Sequence, residues 1–539
     1  MRLPRLRNFL VPLGVAAAVC LLVASAIRMP RVPTVPALPD AASASLARAV
    51  ERVNAEFDRQ WRESGLTPAQ VADDLQVLRR LSLALHGTIP SLEEIRRFEQ
   101  DTAPARLERW TRHLLNDRRF ADYFAERLAR SFVGAETGQF IVFRRDRFVQ
   151  WLSEQLQRRT PYDSIVRQMI AEEGLWTGEP ATNFITAAVA NEEIDENKLA
   201  GRSVRAFLGQ RIDCAQCHDH PFADWKQEQF AQLAAYFGQV RMSLVGVEDA
   251  AGEFTVEDRE TLEKRVISPA VPFGADWQGN EGTRRERLAR WVTHPENRRF
   301  ERAIANRVWG LMFGRPYFDP VDDLPDPPTG GESDLLDLLG EDFRNHNYDL
   351  RRLIEVIAAS RPFRLDSAHS LDDEAQLAQL ESQWAVFPLV RLRPEQMIGA
   401  CLQAASVGTI DRNSHLLVRL IRFFRERDFV EAYGDLGEDE LQDHAGTIPQ
   451  ALLRMNGKLV REVIEPNPFS SSGRITGLAG SDEACIEAVF LACLTRRPTE
   501  TERKHFLAQF GAATPPQRSA IVEDMFWSMF NAPEFAWNH

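Results

Sequence analysis

Two cysteines separated by two residues and followed at once by a histidine, Cys214-Ala215-Gln216-Cys217-His218, are the residues of this chain whose types and spacing carry chemistry. Two thiols so spaced reach the two vinyl groups of one porphyrin, and the adjoining histidine then lies under the iron as an axial ligand, which points to covalently attached haem c. With six cysteines and eleven histidines in 539 residues, chance supplies this triplet in on the order of one such chain in a thousand. Two other chemistries use the same donors. Cys214, Cys217, His218 or His220 with a remote fourth ligand suit zinc or iron, and the two thiols alone suit a disulfide or a structural pair. His220 is too near His218 along the chain to take the opposite face of a haem iron, which leaves Met242 and Met169 as the methionines to name for a sixth ligand. Without one the iron binds small ligands or peroxide; with one it only passes electrons.

The residues around the cluster fit a haem or a metal. Asp213, Asp219 and Asp224 are candidates to accept a hydrogen bond from Nδ1 of His218 and raise its basicity. Phe222, Trp225, Phe230, Tyr236 and Phe237 either wall a porphyrin or belong to ordinary core.

Positioning this cluster requires an address and a scaffold. Arg2, Arg5 and Arg7 precede Phe9 to Ile27, 19 residues without a charge, close to the length that spans a bilayer. Residues 1–30 read as a signal anchor or a signal peptide, with Ala24, Ser25 and Ala26 as small cleavage-site residues. The basic flank keeps the amino end cytoplasmic and sends the rest across the membrane, where haem c attachment takes place. Residues 31–44 are a Pro/Ala-rich spacer. Acidic residues outnumber basic ones, 78 to 65, and the first 31 residues hold five arginines and no acid, so the remainder is more acidic still. That balance excludes a nonspecific nucleic-acid binder. Six cysteines are too few for a disulfide framework.

Apolar residues recur at helical spacing in Leu46, Val50, Val53 and Phe57, in Leu75, Leu78, Leu81 and Leu85, and in Phe120, Phe124, Leu128 and Phe132, which predicts a helical domain over 45–241. Ser91 with Glu94 reads as a capping box. Residues 242–283 form an acidic connector with room for a hairpin, and 284–539 a second helical domain: a mainly α, two-domain protein. After the break at His294-Pro295 the next helix carries Phe300, Ile304, Val308 and Leu311. Asn306 and Arg307 on it either form a site with Asp322 and Asp323 or tie the helix to the Pro/Asp-rich loop that follows. Further helices are expected near 394–405, 485–495 and 518–530, and a loop over 468–480. Cys401 reads as core.

Arg79-Arg80-Leu81-Ser82-Leu83, Gly87-Thr88-Ile89-Pro90-Ser91, Pro161-Tyr162-Asp163 and Cys214 to Phe222 resemble the cytochrome-like domain of unknown function 1549 of large planctomycete proteins. His294 to Phe300, Asn306-Arg307-Val308-Trp309, Asp322-Asp323, Tyr348-Asp349-Leu350, Met455-Asn456-Gly457, Glu534-Phe535 and Asn538-His539 resemble its companion, domain of unknown function 1553. The resemblance implies an exported or surface protein, called cytochrome-like for its Cys-x-x-Cys-His segment, with no settled reaction. Leu85-His86 departs from the family's usual aspartate-leucine-threonine type segment.

No phosphate loop, nucleophile elbow or paired zinc-protease histidines occur. Two classes of function remain. One is an extracytoplasmic, membrane-anchored c-type haem protein, held in the inner membrane by residues 9–27 and passing electrons to a redox partner protein. The other is a non-haem surface interaction protein whose cluster is a structural zinc or iron site or a disulfide.

Overall fold

In the computed structural model the chain is described over residues 39–539, apart from 137–141, 191–192, 222–223, 258–261, 331–332, 370–372, 412–413, 415, 440, 443–445, 468–469 and 512. The charge-free run at 9–27 and Phe222 lie outside the described residues, among which no helix is long and apolar enough to cross a membrane.

The expected periodicities become helices with their apolar stripes turned inward. Asp40–Glu63 buries Leu46, Val53, Phe57 and Trp61, and Arg118–Val133 buries Phe120, Phe124, Leu128 and Phe132. Ser91 and Glu94 cap Leu92–Gln100 reciprocally, Ser91 Oγ accepting from the Glu94 N–H at 3.0 Å and Glu94 Oε2 from the Ser91 N–H at 2.9 Å. Each bond satisfies a donor that the first helical turn would leave open.

One hydrophobic core gathers residues from Leu46 to Leu441, with Leu491. Its axis is Arg298–Phe313, buried from Phe300 to Phe313, which packs against Asp74–His86, Glu196–Leu208, Leu335–Asn345 and Leu350–Ala359. Asp40–Glu63 lies on the last two of these. Phe57 stacks on Trp309 with centroids 5.8 Å apart, and Tyr162 on Phe300 at 5.3 Å. A second core is built from Leu392 to Ala536 together with Leu83 and Ile89.

The connector holds two antiparallel hairpins, Val240–Ser243 with Gly246–Asp249 and Phe254–Glu257 with Lys264–Ile267. Val247 and Gly174 exchange backbone hydrogen bonds at 2.8 and 2.9 Å, which docks the first hairpin on the chain at 174. Gly246, at φ +119°, permits this approach, since a Cβ there would lie 2.1 Å from the Gly174 carbonyl.

One expected loop is a helix. Ser471–Leu478 forms within 468–480, capped by Ser470 Oγ on the Gly473 N–H at 3.2 Å. Its serines and glycines suggest solvent, yet Ser471 and Ser472 are buried because small residues let this helix sit close against Asp482–Leu494 and Pro515–Asn531.

Asp74–His86 buries all of its residues from Val77 to His86, Arg79 and Arg80 included. Arg79 donates to the carbonyls of Cys493 and Phe535 at 3.1 and 3.2 Å. Arg80 donates to the carbonyls of His539, Phe363 and Leu365 at 2.8, 3.0 and 2.6 Å and to Ser367 Oγ at 3.3 Å, with its guanidinium 3.7 Å above the Phe387 ring. Burial lowers the two pKa values to about 10 and about 9, so both stay charged at neutral pH.

Candidate haem-attachment loop

Glu196–Leu208 ends at Gly209 in the left-handed conformation, and the chain then enters the cysteine loop. The acidic loop of the second half grips this entry: the Leu324 N–H donates to the Gly209 carbonyl at 2.7 Å, Arg211 pairs with Asp322 at 2.7 Å, and the Arg211 N–H reaches Asp323 Oδ1 at 3.3 Å. That loop is itself held by buried Asn306, whose Nδ2 donates to the carbonyls of Phe318 and Val321 at 2.8 and 3.3 Å and whose Oδ1 accepts from the Phe318 N–H at 2.9 Å. Asn306 thus ties helix to loop, as one of the two readings of Asn306 and Arg307 with Asp322 and Asp323 expects.

Beyond Arg211, Asp213–Gln216 forms one 3-10 turn. Ile212 and Ala215 are fully buried and fasten its inner side, the Ala215 N–H on the Ile212 carbonyl at 2.8 Å. Asp213 Oδ1 packs over Gly201, where a Cβ would lie only 2.7 Å away. On the outer side Cys214, Cys217 and His218 are exposed and His220 half-buried, and both cysteines are free thiols. Gln227 closes the loop, its Nε2 donating to the Cys217 carbonyl at 3.2 Å and its N–H to Asp219 Oδ1 at 3.0 Å. That backbone hydrogen bond, then Lys226 at 3.3 Å, lowers the Asp219 pKa. The His220 N–H meets the Trp225 carbonyl at 2.8 Å.

His218 Nδ1 lies 2.7 Å from the main-chain carbonyl of Asp219. A carbonyl only accepts, so Nδ1 carries the proton and, in the neutral ring, Nε2 keeps its lone pair for a metal. The partner expected from sequence was a carboxylate; the Asp219 carboxylate is instead taken by Gln227 and Lys226, and Asp224 is exposed. Nothing in residue type foretells a main-chain partner, because the choice depends on the turn at Cys217–Asp219.

The aromatic residues divide. Phe230, Tyr236 and Phe237 are core, at most 2 % exposed, while Trp225 closes the core beneath the loop. Met169 is fully buried on Tyr162–Ala171, away from the solvent that His218 faces, and Met242 is half-buried on the first hairpin. Cys401, Cys485 and Cys493 are buried, and burial pushes the first two thiols up to about 12 and about 11, as suits inert packing.

The donor types and spacing of this loop are those that covalent haem attachment would use, Cys214 and Cys217 for the vinyl carbons and His218 for the iron. Covalent attachment uses three separate points, two vinyl carbons for the thiols and the iron for the imidazole, so the donors need only be accessible and adjacent. A zinc or iron clip needs its donors to converge, and among the described residues no three His, Cys, Asp or Glu side chains do so.

Residues 52–242 match the family model described as protein of unknown function (DUF1549), PSCyt2, and residues 284–415 match that described as protein of unknown function (DUF1553), PSD1. No curated protein and no solved structure matches the chain. The chain therefore belongs to the proteins that pair these two domains.

Proposed function

We propose that the chain is an extracytoplasmic c-type haem protein, tethered in the cytoplasmic membrane through residues 9–27 and serving electron transfer to a redox partner protein. The observation that carries the reading is the loop Asp213–His220: two exposed free thiols and an imidazole whose Nδ1–H rests on the Asp219 carbonyl, with Nε2 left as the ligand atom. A bound haem would supply one-electron chemistry there. Cys214 and Cys217 would form the thioether bonds and His218 the proximal bond, while the Asp219 carbonyl fixes the tautomer and raises the basicity of Nε2. Ile212 and Ala215 hold the turn rigid from within, and the clamp from Leu324 and Asp322 sets where it leaves the core.

The test is a pyridine haemochrome assay on the full chain, exported in a host with a working haem c maturation system, beside the Cys214→Ala and Cys217→Ala variants. A chromophore that survives denaturation in the parent and is lost or halved in its thioether content in the variants is expected. A colourless parent, from cells that mature a control cytochrome, overturns the proposal. Elemental analysis of that colourless protein for zinc or iron would then test the non-haem alternative.

A further inference from the structure

The helix Ile448–Asn456 buries none of its residues, yet Ile448, Leu452 and Met455 recur on one of its faces at helical spacing and are exposed, as is Trp527 of Pro515–Asn531. An apolar stripe turned to solvent marks a surface that another group covers. Trp527 is held in place there, its Nε1 donating to the Met455 carbonyl at 3.2 Å. Both residues line an open groove of about 940 Å³ between Lys458–Ile464 and Pro515–Asn531, with Pro466 and Pro516 beside them.

The groove is acidic. Glu462 pairs with Arg425 at 2.8 Å and with Lys458 at 3.7 Å. Among the described residues Glu465, Glu523 and Asp524 have no ion-pair partner, against Arg461 alone on the basic side. Burial, then Asp524 and Glu465, raise the pKa of Glu523, so these carboxylates sit together against their mutual repulsion. An occupant that suits the groove brings apolar side chains and positive charge together. The same carboxylates count against an anionic lipid surface.

The chain carries such a segment. Between the charge-free run and Asp40, prolines fall at every third position, Pro30, Pro33, Pro36 and Pro39. A polyproline II helix turns once in three residues, so in that form the period would place Met29, Val32, Val35 and Leu38 in one stripe and Arg28 and Arg31 in another, the two arginine positions about 9 Å apart. Proline-rich segments dock in aromatic-lined grooves because fixing this conformation costs little entropy.

The groove within reach belongs to another copy. Asp40 heads a helix of the first core. From that helix the packing runs through Leu350–Ala359, Arg298–Phe313, Asp74–His86 and Asp482–Leu494 before it reaches Pro515–Asn531. Five helix spacings of about 8–10 Å each exceed the roughly 34 Å that residues 28–38 span in a polyproline II helix.

We propose that the groove between Lys458–Ile464 and Pro515–Asn531 binds the segment 28–38 of a second copy of this chain, its apolar stripe on Met455 and Trp527 and its arginines on Glu465, Glu523 and Asp524. Donor and acceptor surfaces differ, so the contact is heterologous, and two copies close it by exchanging segments.

Sedimentation velocity of the full chain in a nonionic detergent tests the assignment. The parent should associate with rising concentration between about 1 and 100 µM, and Arg28→Glu with Arg31→Glu should weaken the association by about tenfold or more. Glu523→Lys with Asp524→Lys, at positions outside both cores, should weaken it as much with the melting temperature unchanged. Mixing the two charge-reversed proteins should restore it, since the acidic segment of one then meets the basic groove of the other. A parent that stays monomeric up to about 100 µM, an association indifferent to the groove variant, or a mixture no tighter than its components would each overturn the proposal. Loss in the groove variant alone, with the segment variant unaffected, would assign the groove to another surface of the second copy and overturn it too.

Discussion

At Arg80 four hydrogen bonds run inward, to three carbonyls and a hydroxyl, and an aromatic ring covers the guanidinium face. At Cys214, Cys217 and His218 the side chains face solvent on a turn fastened from within by Ile212 and Ala215 and closed by Gln227 through the Cys217 carbonyl and Asp219. The helix Asp74–His86 uses charge as a structural tie, joining segments at 363–367, 493 and 535–539 to the first half of the chain. The loop Asp213–His220 leaves its chemistry unused by the fold. A side chain fully occupied by internal partners is available for stability only, whereas one that the core does not need is available to an incoming group.

The contrast predicts a ranking of effects on unfolding. The largest belongs to Arg80→Leu, which leaves the carbonyls of Phe363, Leu365 and His539 buried without their donor. A loss of about 3–5 kcal/mol is expected in denaturant unfolding of the full chain, and a loss below about 1 kcal/mol would show that the tie contributes little.

Next comes a pH effect at the end of the same helix. His86 is buried with Nε2 on the Leu114 carbonyl at 3.0 Å, and burial, then the Arg119 guanidinium, lower its pKa from 6.5 to about 4, against Asp117 and Glu94, which raise it. Between those values the unfolded chain takes up a proton that the folded chain refuses. The contribution of His86 is therefore complete above pH 6.5 and is lost as pH falls toward 4, about 3 kcal/mol in all. His86→Gln should flatten the stability profile over that window by this amount, and parallel profiles for parent and variant would contradict it.

The smallest effect belongs to the loop. Cys214→Ser together with Cys217→Ser should change stability before any haem is attached by no more than about 0.5 kcal/mol, since neither sulfur is packed. A loss as large as that at Arg80 would make the cysteines structural and erase the distinction between the two regions.

Much of this was legible in the residues. The periods at Leu46 to Phe57 and Phe120 to Phe132 name their helices and buried faces, and the Ser91/Glu94 pair names its cap. The cluster at Cys214 announces itself by spacing. Less visible were features set by tertiary contact. The burial of Arg79 has a signal, because on the helical wheel it falls between Leu75 and Leu83, whereas Arg80 falls in the widest gap of the apolar pattern, where a solvent-facing arginine is the natural expectation. The helix Ser471–Leu478 was hidden by small polar residues that serve close packing. The carbonyl under His218 and the grip of Leu324 on Gly209 depend on backbone placement, which side-chain identity does not encode.

The core that gathers Leu46 to Leu441, with Leu491, runs across the boundary between the two family matches. Ion pairs cross it too, Arg52 with Glu341, Arg285 with Asp249 and Arg364 with Glu108. Severing the polypeptide near 284 would strip Phe57 of Trp309 and Tyr162 of Phe300, exposing a greasy face on each fragment. The seam between the two sequence patterns is a place where heredity changes vocabulary in the middle of a single solid, and a gene cut there would yield two insoluble halves instead of two modules.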